Sequence, residues 1–262
     1  MYNFEFVKPA TVDEAVAAMK KEGAQALGGG QTLLPTMKQR LASPESLVCL
    51  SGMAELVGVN AGDGAVTVGA ATTHAQVAAD AAGSYPALAD LASNIGDPAV
   101  RSRGTLGGSI ANNDPAACYP AAVLGSGATV TTNARSLSAD DYFTGLFETA
   151  LDEGEIVTSV SFPVPEKANY QKFDQPASRF ALVGVFVAKY PDGVRVAVTG
   201  ASEGGVFRWA EAEAALSGDF AASALEGMKP GADGMISDLH GSSEYRAHLV
   251  GVLTRRAVDA AG

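Results

Sequence analysis

Two clusters of glycine, hydroxyl and amide residues are the parts of this chain best suited to chemistry. The first reads Ala26-Leu27-Gly28-Gly29-Gly30-Gln31-Thr32-Leu33-Leu34-Pro35, between a strand-like and a helix-like segment. Glycines placed there let successive backbone N–H groups crowd around an anion, and the start of the next helix adds a positive dipole end. No Lys-Ser/Thr pair follows, so this is not a Walker A loop. Leu33 stands where a Rossmann fingerprint needs its third glycine. Taken alone, the glycine run is equally compatible with a tight turn. The second cluster reads Thr105-Leu106-Gly107-Gly108-Ser109-Ile110-Ala111-Asn112-Asn113-Asp114-Pro115. Its hydroxyls and amides can hydrogen-bond phosphate and hydroxyl oxygens, while its glycines admit close backbone approach. Neither cluster is specific alone, but two of them could clasp a long dinucleotide.

Other reactive side chains are sparse. His74 follows Thr73 at a helix start and reads chiefly as a first-turn polar residue, with a covalent flavin tether as the sharper alternative. His240 and His248 read as surface residues and Trp209 as core or interface. Arg101 and Arg103, just before the second cluster, either offset phosphate charge or are solvated loop charges. No Ser–His–Asp set, carboxylate pair or HExxH motif is present, so no catalytic residue is assigned. Cys49 and Cys118 are the two cysteines, and there are three histidines. An iron–sulfur cluster takes about four thiolates and a structural zinc a comparable Cys/His set. No metal site is therefore expected, and any metal redox centre must sit on another chain.

The elements that must position these clusters follow from periodicity and capping. Residues 11–22 predict a helix with Thr11 as N-cap and Glu14 completing a capping box. Strands are expected at 24–27 and 46–50, and a helix at 33–41, giving a βαβ-like unit around the first glycine run. Paired strands at 57–59 and 65–69 flank the turn Gly62-Asp63-Gly64. Helices follow at 73–82 and 85–95. Residues 98–113 read as loop, with Asp114-Pro115 opening the next helix. Strands at 128–132 and 156–162 precede a candidate boundary at 163–166. Strands at 180–190 and 194–199, joined by a Pro-Asp-Gly turn, an edge strand at 206–209 and helices at 210–216 and 243–260 complete the chain.

Composition bounds the function. Of 262 residues, 47% are hydrophobic and 18% charged, the balance of a globular protein with a substantial core. The net charge of −11 argues against nucleic acid, whose phosphates want a basic face. No apolar run reaches the roughly 20 residues that cross a bilayer, and the N-terminus lacks the basic-then-apolar order of a secretory signal. A cytoplasmic location is expected.

The GGGQTLLP and TLGGSIANNDPA segments, with Tyr170-x-Lys172-Phe173 further on, make the chain resemble the FAD-binding medium subunits of molybdenum hydroxylases, of the aerobic carbon monoxide dehydrogenase and xanthine dehydrogenase type. The resemblance spans nearly the whole chain. It implies an α+β architecture: a vanillyl-alcohol-oxidase-like (PCMH-type) two-part FAD-binding domain, then a C-terminal domain of antiparallel sheet plus helices. The implied units are residues 1–55, 56–165 and 166–262. It implies FAD held by Gly28, Gly29, Gly30, Gln31, Thr32 and Leu33 and by Thr105, Gly107, Gly108, Ser109 and Asn112. Lys172 is implied near the flavin, with Phe180 shielding the isoalloxazine. It further implies a small subunit with [2Fe–2S] clusters and a large molybdopterin subunit, assembled as a dimer of heterotrimers, with electrons passing from the clusters through FAD to an external acceptor. Relatives place an Asp a few residues after the second motif; this chain has Cys118, which weakens that one implied contact. A stand-alone FAD oxidase or reductase, or a non-catalytic module of the same fold, is the alternative.

Overall fold

The computed structural model describes residues 1–261. Its N-terminal part is a three-stranded parallel sheet, order β1-β3-β2, formed by β1 (Glu5–Val7), β2 (Ala24–Leu27) and β3 (Ser46–Cys49). Helices α1 (Val12–Met19) and α2 (Leu33–Lys38) make the two crossovers. β3 is buried along its length, as a central parallel strand should be. β1 is a strand that the sequence reading did not anticipate. Helix α1 ends sooner than expected. Thr11 caps it by accepting the Glu14 N–H, but the Glu14 carboxylate reaches the Ala10 N–H (2.7 Å) rather than closing a reciprocal box on Thr11.

The middle part pairs a five-stranded sheet with a helical layer. The sheet has the order β4-β5-β10-β6-β7, from β4 (Val59–Gly62), β5 (Ala65–Gly69), β6 (Thr129–Thr132), β7 (Ser136–Ser138) and β10 (Val157–Pro163). Asp63 and Gly64 both take positive φ (50° and 74°), as a two-residue hairpin turn requires. The helices are α3 (His74–Asp80), α4 (Pro86–Ser93), α5 (Pro98–Arg101), α6 (Leu106–Asn112) and α7 (Tyr119–Gly125). A short helix α8 (Ala139–Tyr142) leads into the hairpin β8 (Phe143–Gly145) and β9 (Glu148–Thr149).

Two expectations fail here, both at the second glycine cluster. Residues 98–113 are not loop, for α5 and α6 lie within them. Each glycine in a helix costs about 1 kcal/mol relative to alanine. Against that, Leu106 and Ile110, one turn apart, are fully buried, and the Thr105 hydroxyl caps the helix by accepting the Gly108 N–H. Nor does a helix open at Asp114-Pro115. The next one starts at Tyr119, after Cys118. The carbonyls between are already engaged. Pro115 accepts from the Gly200 N–H (2.6 Å) and the Thr199 hydroxyl (2.8 Å), Ala116 from the Ala181 N–H and Ala117 from Thr199. Asp114 closes a local turn instead, accepting the Ala116 N–H.

The C-terminal sheet is antiparallel, order β11-β12-β13-β14, from β11 (Lys167–Asp174), β12 (Ala181–Tyr190), β13 (Gly193–Ser202) and β14 (Gly205–Arg208). β12 is covered on both faces, which explains its nearly continuous apolar sequence. Val183, Val185 and Val187 join a core with α9 (Ala210–Gly218) and α10 (Ser243–Ala260). Phe186 and Ala188, pointing the other way, join the core of the middle part beside α4 and α7. Trp209 is buried in the first of these cores, while His240 and His248 are exposed, as expected.

Candidate functional site

The two glycine clusters meet. Strand β2 delivers the chain to Gly28 and Gly29, and Gly30, at φ 71°, turns it into α2. A Cβ on Gly28 would stand 2.8 Å from Thr105 Oγ1 and 3.6 Å from Gly108 Cα. One on Gly29 would lie 1.9 Å from the Arg103 carbonyl oxygen and 2.6 Å from Gly104 Cα. Only glycine allows the backbones so close. The 103–107 strap is itself pinned from behind. His74 N–H donates to Gly104 O, Leu106 N–H to Thr72 O and Gly107 N–H to Ala70 O.

Between and beside these segments lies a cavity of about 610 Å³, within the range of about 300–1,000 Å³ usual for ligand sites. Gly28, Gly29, Gly30, Gln31, Thr32 and Leu33 line it, as do Thr105, Gly107, Gly108, Ser109 and Asn112, with Phe180 at 46% exposure. The remaining sequence candidate, Lys172, is absent from the wall. Its ammonium donates to the carbonyls of Asn94 (2.6 Å) and Arg179 (3.0 Å) and pairs with Asp174. Its position ties the loop before Phe180 to the end of α4. A lysine with carbonyls in reach satisfies its donors there rather than across an open cavity.

The clusters contribute different things. Backbone N–H groups of Gly28, Gly29, Gly30, Gln31, Thr32 and Leu33 donate to no acceptor among the described residues, a run of open amides at the cavity wall. The first-turn amides of α6 are all engaged: Leu106 and Gly107 with the 70–72 segment, Gly108 with the Thr105 hydroxyl and Ser109 with the Thr105 carbonyl. The second cluster therefore offers side chains. The Ser109 hydroxyl and the Asn112 amide have no partner among the described residues, whereas Asn113 donates to the Gly145 and Glu148 carbonyls and is structural. Unpaired N–H groups in sequence form an anion cradle, and the polar side chains beside it suit a ligand's hydroxyls. These features fit a dinucleotide.

The wall also includes His74, Asp114, Cys118 and Arg179, which lie outside the expected set of cofactor contacts. Burial holds the His74 imidazole down to a pKa of about 4, with Arg101 adding to the effect. Burial raises the Asp114 carboxyl, partly offset by the Ala116 N–H. It raises the Cys118 thiol too, against the pull of Lys172. Cys118 is the small buried residue expected, placed just ahead of α7. A neutral imidazole and a protonated thiol are not a poised base and nucleophile. Arg101 donates to the Ile95 and Gly96 carbonyls, and Arg103 lies outside the wall. Among the described residues no group of His, Cys, Asp and Glu could hold a metal ion.

Gly108 is the position where bulk would reach the cavity with least harm to the fold. An added Cβ there meets only Thr105 Oγ1, at 2.9 Å. Gly108→Val is expected to keep the secondary structure, lose up to about 1 kcal/mol through the weakened cap, and lower ligand retention at least about tenfold, a change of roughly 1.4 kcal/mol. Circular dichroism with ligand content per chain checks both halves. Undiminished content would show that the cavity is not the binding site.

A family described as the FAD binding domain in molybdopterin dehydrogenase matches residues 2–165. The carbon monoxide dehydrogenase medium chain of Afipia carboxidovorans is 33% identical, over 99% of this chain and 96% of that one. The nicotine 6-hydroxylase medium subunit of Paenarthrobacter nicotinovorans is 34% identical, over 98% and 96%. Among solved structures, the reconstituted CO dehydrogenase from Oligotropha carboxidovorans superposes with a TM-score of 0.89 at 30% identity, covering 99% of this chain and 98% of that one.

Proposed function

Because the chain belongs to the FAD-binding medium subunits of the molybdopterin dehydrogenase family, we propose that it is the electron-transfer flavoprotein of a heteromeric molybdenum hydroxylase, passing electrons from [2Fe–2S] clusters of a partner to an external acceptor. The observation that carries this reading is the run of open amides from Gly28 to Leu33 beside the partner-free Ser109 and Asn112 side chains in one cavity. FAD, when bound, supplies the redox chemistry, which no side chain of the wall is arranged to perform.

The chain's own residues have separable tasks in this proposal. Gly28, Gly29, Gly30, Gln31, Thr32 and Leu33 hold the pyrophosphate with backbone N–H groups. Ser109 and Asn112 bind neutral oxygens of the cofactor. Thr105, Gly107 and Gly108 shape the wall, since their own hydrogen-bonding groups are engaged in the fold. Phe180 covers an aromatic face, and Lys172 positions the Phe180 loop through the Arg179 carbonyl. The proposed units are residues 1–55 and 56–165, which together make the cavity's glycine walls, and 166–262, which brings Phe180.

The partners proposed are a small iron–sulfur subunit and a large molybdopterin subunit, as a dimer of heterotrimers in the cytoplasm. Two free, buried cysteines support a reducing compartment. Among the described residues no helix is long and apolar enough to cross a membrane. Relatives of nearly equal identity are named for carbon monoxide and for nicotine, so substrate choice is assigned to the large subunit.

Expression with its operon neighbours tests the proposal. Co-purification with an iron–sulfur chain, and reduction of the bound flavin only when that chain is present, is the expected result. A colourless protein, or one that turns over substrate without partners, would refute it.

A further inference from the structure

His74 stands out among the cavity residues because its burial is not matched by any polar contact. The residue is 5% exposed, and Nδ1 is shut off from solvent with no hydrogen-bond partner among the described residues. Nε2 makes no hydrogen bond either, and an added Cβ on Gly104 would lie 2.5 Å from it. The ring packs against Tyr119 at 5.2 Å between centroids, yet it belongs to the cavity wall. A residue kept only for packing would be better served by leucine or phenylalanine, because a buried polar group without a partner destabilises the fold that contains it. The helix does not need the histidine. Thr73 and Gln76 already complete the capping box of α3, and what His74 gives the fold is its backbone N–H, donated to Gly104 O.

We propose that His74 is a cofactor-binding residue, whose Nε2 hydrogen-bonds a neutral part of the bound FAD, a hydroxyl or a ring amide, rather than its diphosphate. This rests on the FAD reading above. Burial keeps the imidazole uncharged at neutral pH, and an uncharged imidazole has one donor and one acceptor nitrogen. That pair matches groups that both donate and accept, whereas a diphosphate accepts only and is provided for by the open amides of residues 28–33. Either nitrogen can carry the proton, so Nε2 donates or accepts according to the group presented. Binding then gives the ring the polar contact that the cofactor-free fold does not provide.

The test is FAD titration of the purified full-length chain by flavin fluorescence quenching, with thermal melting of the FAD-free protein measured in parallel. His74→Leu should weaken FAD binding about tenfold or more while the melting temperature of the FAD-free form stays level or rises. His74→Asn, which retains a donor and an acceptor, should recover part of the affinity. Unchanged affinity in His74→Leu, with wild type binding FAD, overturns the inference and leaves the function standing. A FAD-free melting temperature that falls in step with affinity also overturns it, since that marks a packing role. Wild-type protein that binds no FAD overturns the inference and the proposed function together.

Discussion

Gly29→Val is expected to yield a chain that purifies without flavin. Bulk at this position would not reach into the space of the ligand. The missing Cβ of Gly29 points at the Arg103 carbonyl, 1.9 Å away, and at Gly104. Even one methyl group forces the first glycine run away from the strap that leads into α6. The strap cannot retreat, because residues 104–107 are hydrogen-bonded to the 70–74 segment behind them. Overpacking against yielding side chains costs about 1–3 kcal/mol, and here the obstacle is backbone held on both sides. The run of open amides would then lose its register with Ser109 and Asn112, abolishing retention outright. The C-terminal sheet has its own core with α9 and α10, so far-ultraviolet circular dichroism should show most of the fold intact. A flavin-to-protein absorbance ratio equal to wild type would contradict the expectation.

The second large effect is expected at Arg246 in α10, which is not part of the cavity wall. Its side chain is 2% exposed. One guanidinium nitrogen donates to the carbonyls of Leu182 and Gly200, both at 2.7 Å, and another to Asp238 at 2.8 Å. These bonds tie the first turn of α10 to the start of β12 and to β13, where Gly200 also donates to Pro115. Arg246→Met keeps much of the side-chain volume but strands two carbonyl oxygens and leaves Asp238 unpaired. Each orphaned buried group costs about 1–3 kcal/mol, whereas Asp238, 37% exposed and still accepting the His240 and Gly241 N–H groups, adds little. A loss of about 3–5 kcal/mol is expected, with the melting temperature down by roughly 6–15 °C for a protein of this size. A melting curve within about 2 °C of wild type, at matched pH and flavin loading, would show that the network carries little of the stability.

Local signals were readable wherever neighbours in the chain satisfy one another. Strand 24–27, the turn at Asp63-Gly64 and the Thr73 cap emerged as expected, because turn chemistry and capping act within a few residues, although the strand before that turn runs over 59–62 rather than 57–59. The second glycine cluster misled for the opposite reason. Its glycines look like loop, but Leu106 and Ile110 are buried by elements remote in the chain, and that burial makes the segment helical. Asp114-Pro115 looks like a helix start, yet Thr199 and Gly200 engage the carbonyls a helix would need.

The site divides along the same line. Residue types alone set which groups can contact a ligand: glycine amides at 28–30, hydroxyls and amides at 105–112. They also established the family, since its motifs are written in consecutive residues. Contacts across the fold assigned the tasks. They engaged the α6 amides, turned Lys172 from the cavity to the Asn94 and Arg179 carbonyls, and buried His74 without a partner. A hydrogen-bonding group has a fixed capacity, and whether any is left for a ligand depends on which distant atoms folding brings beside it.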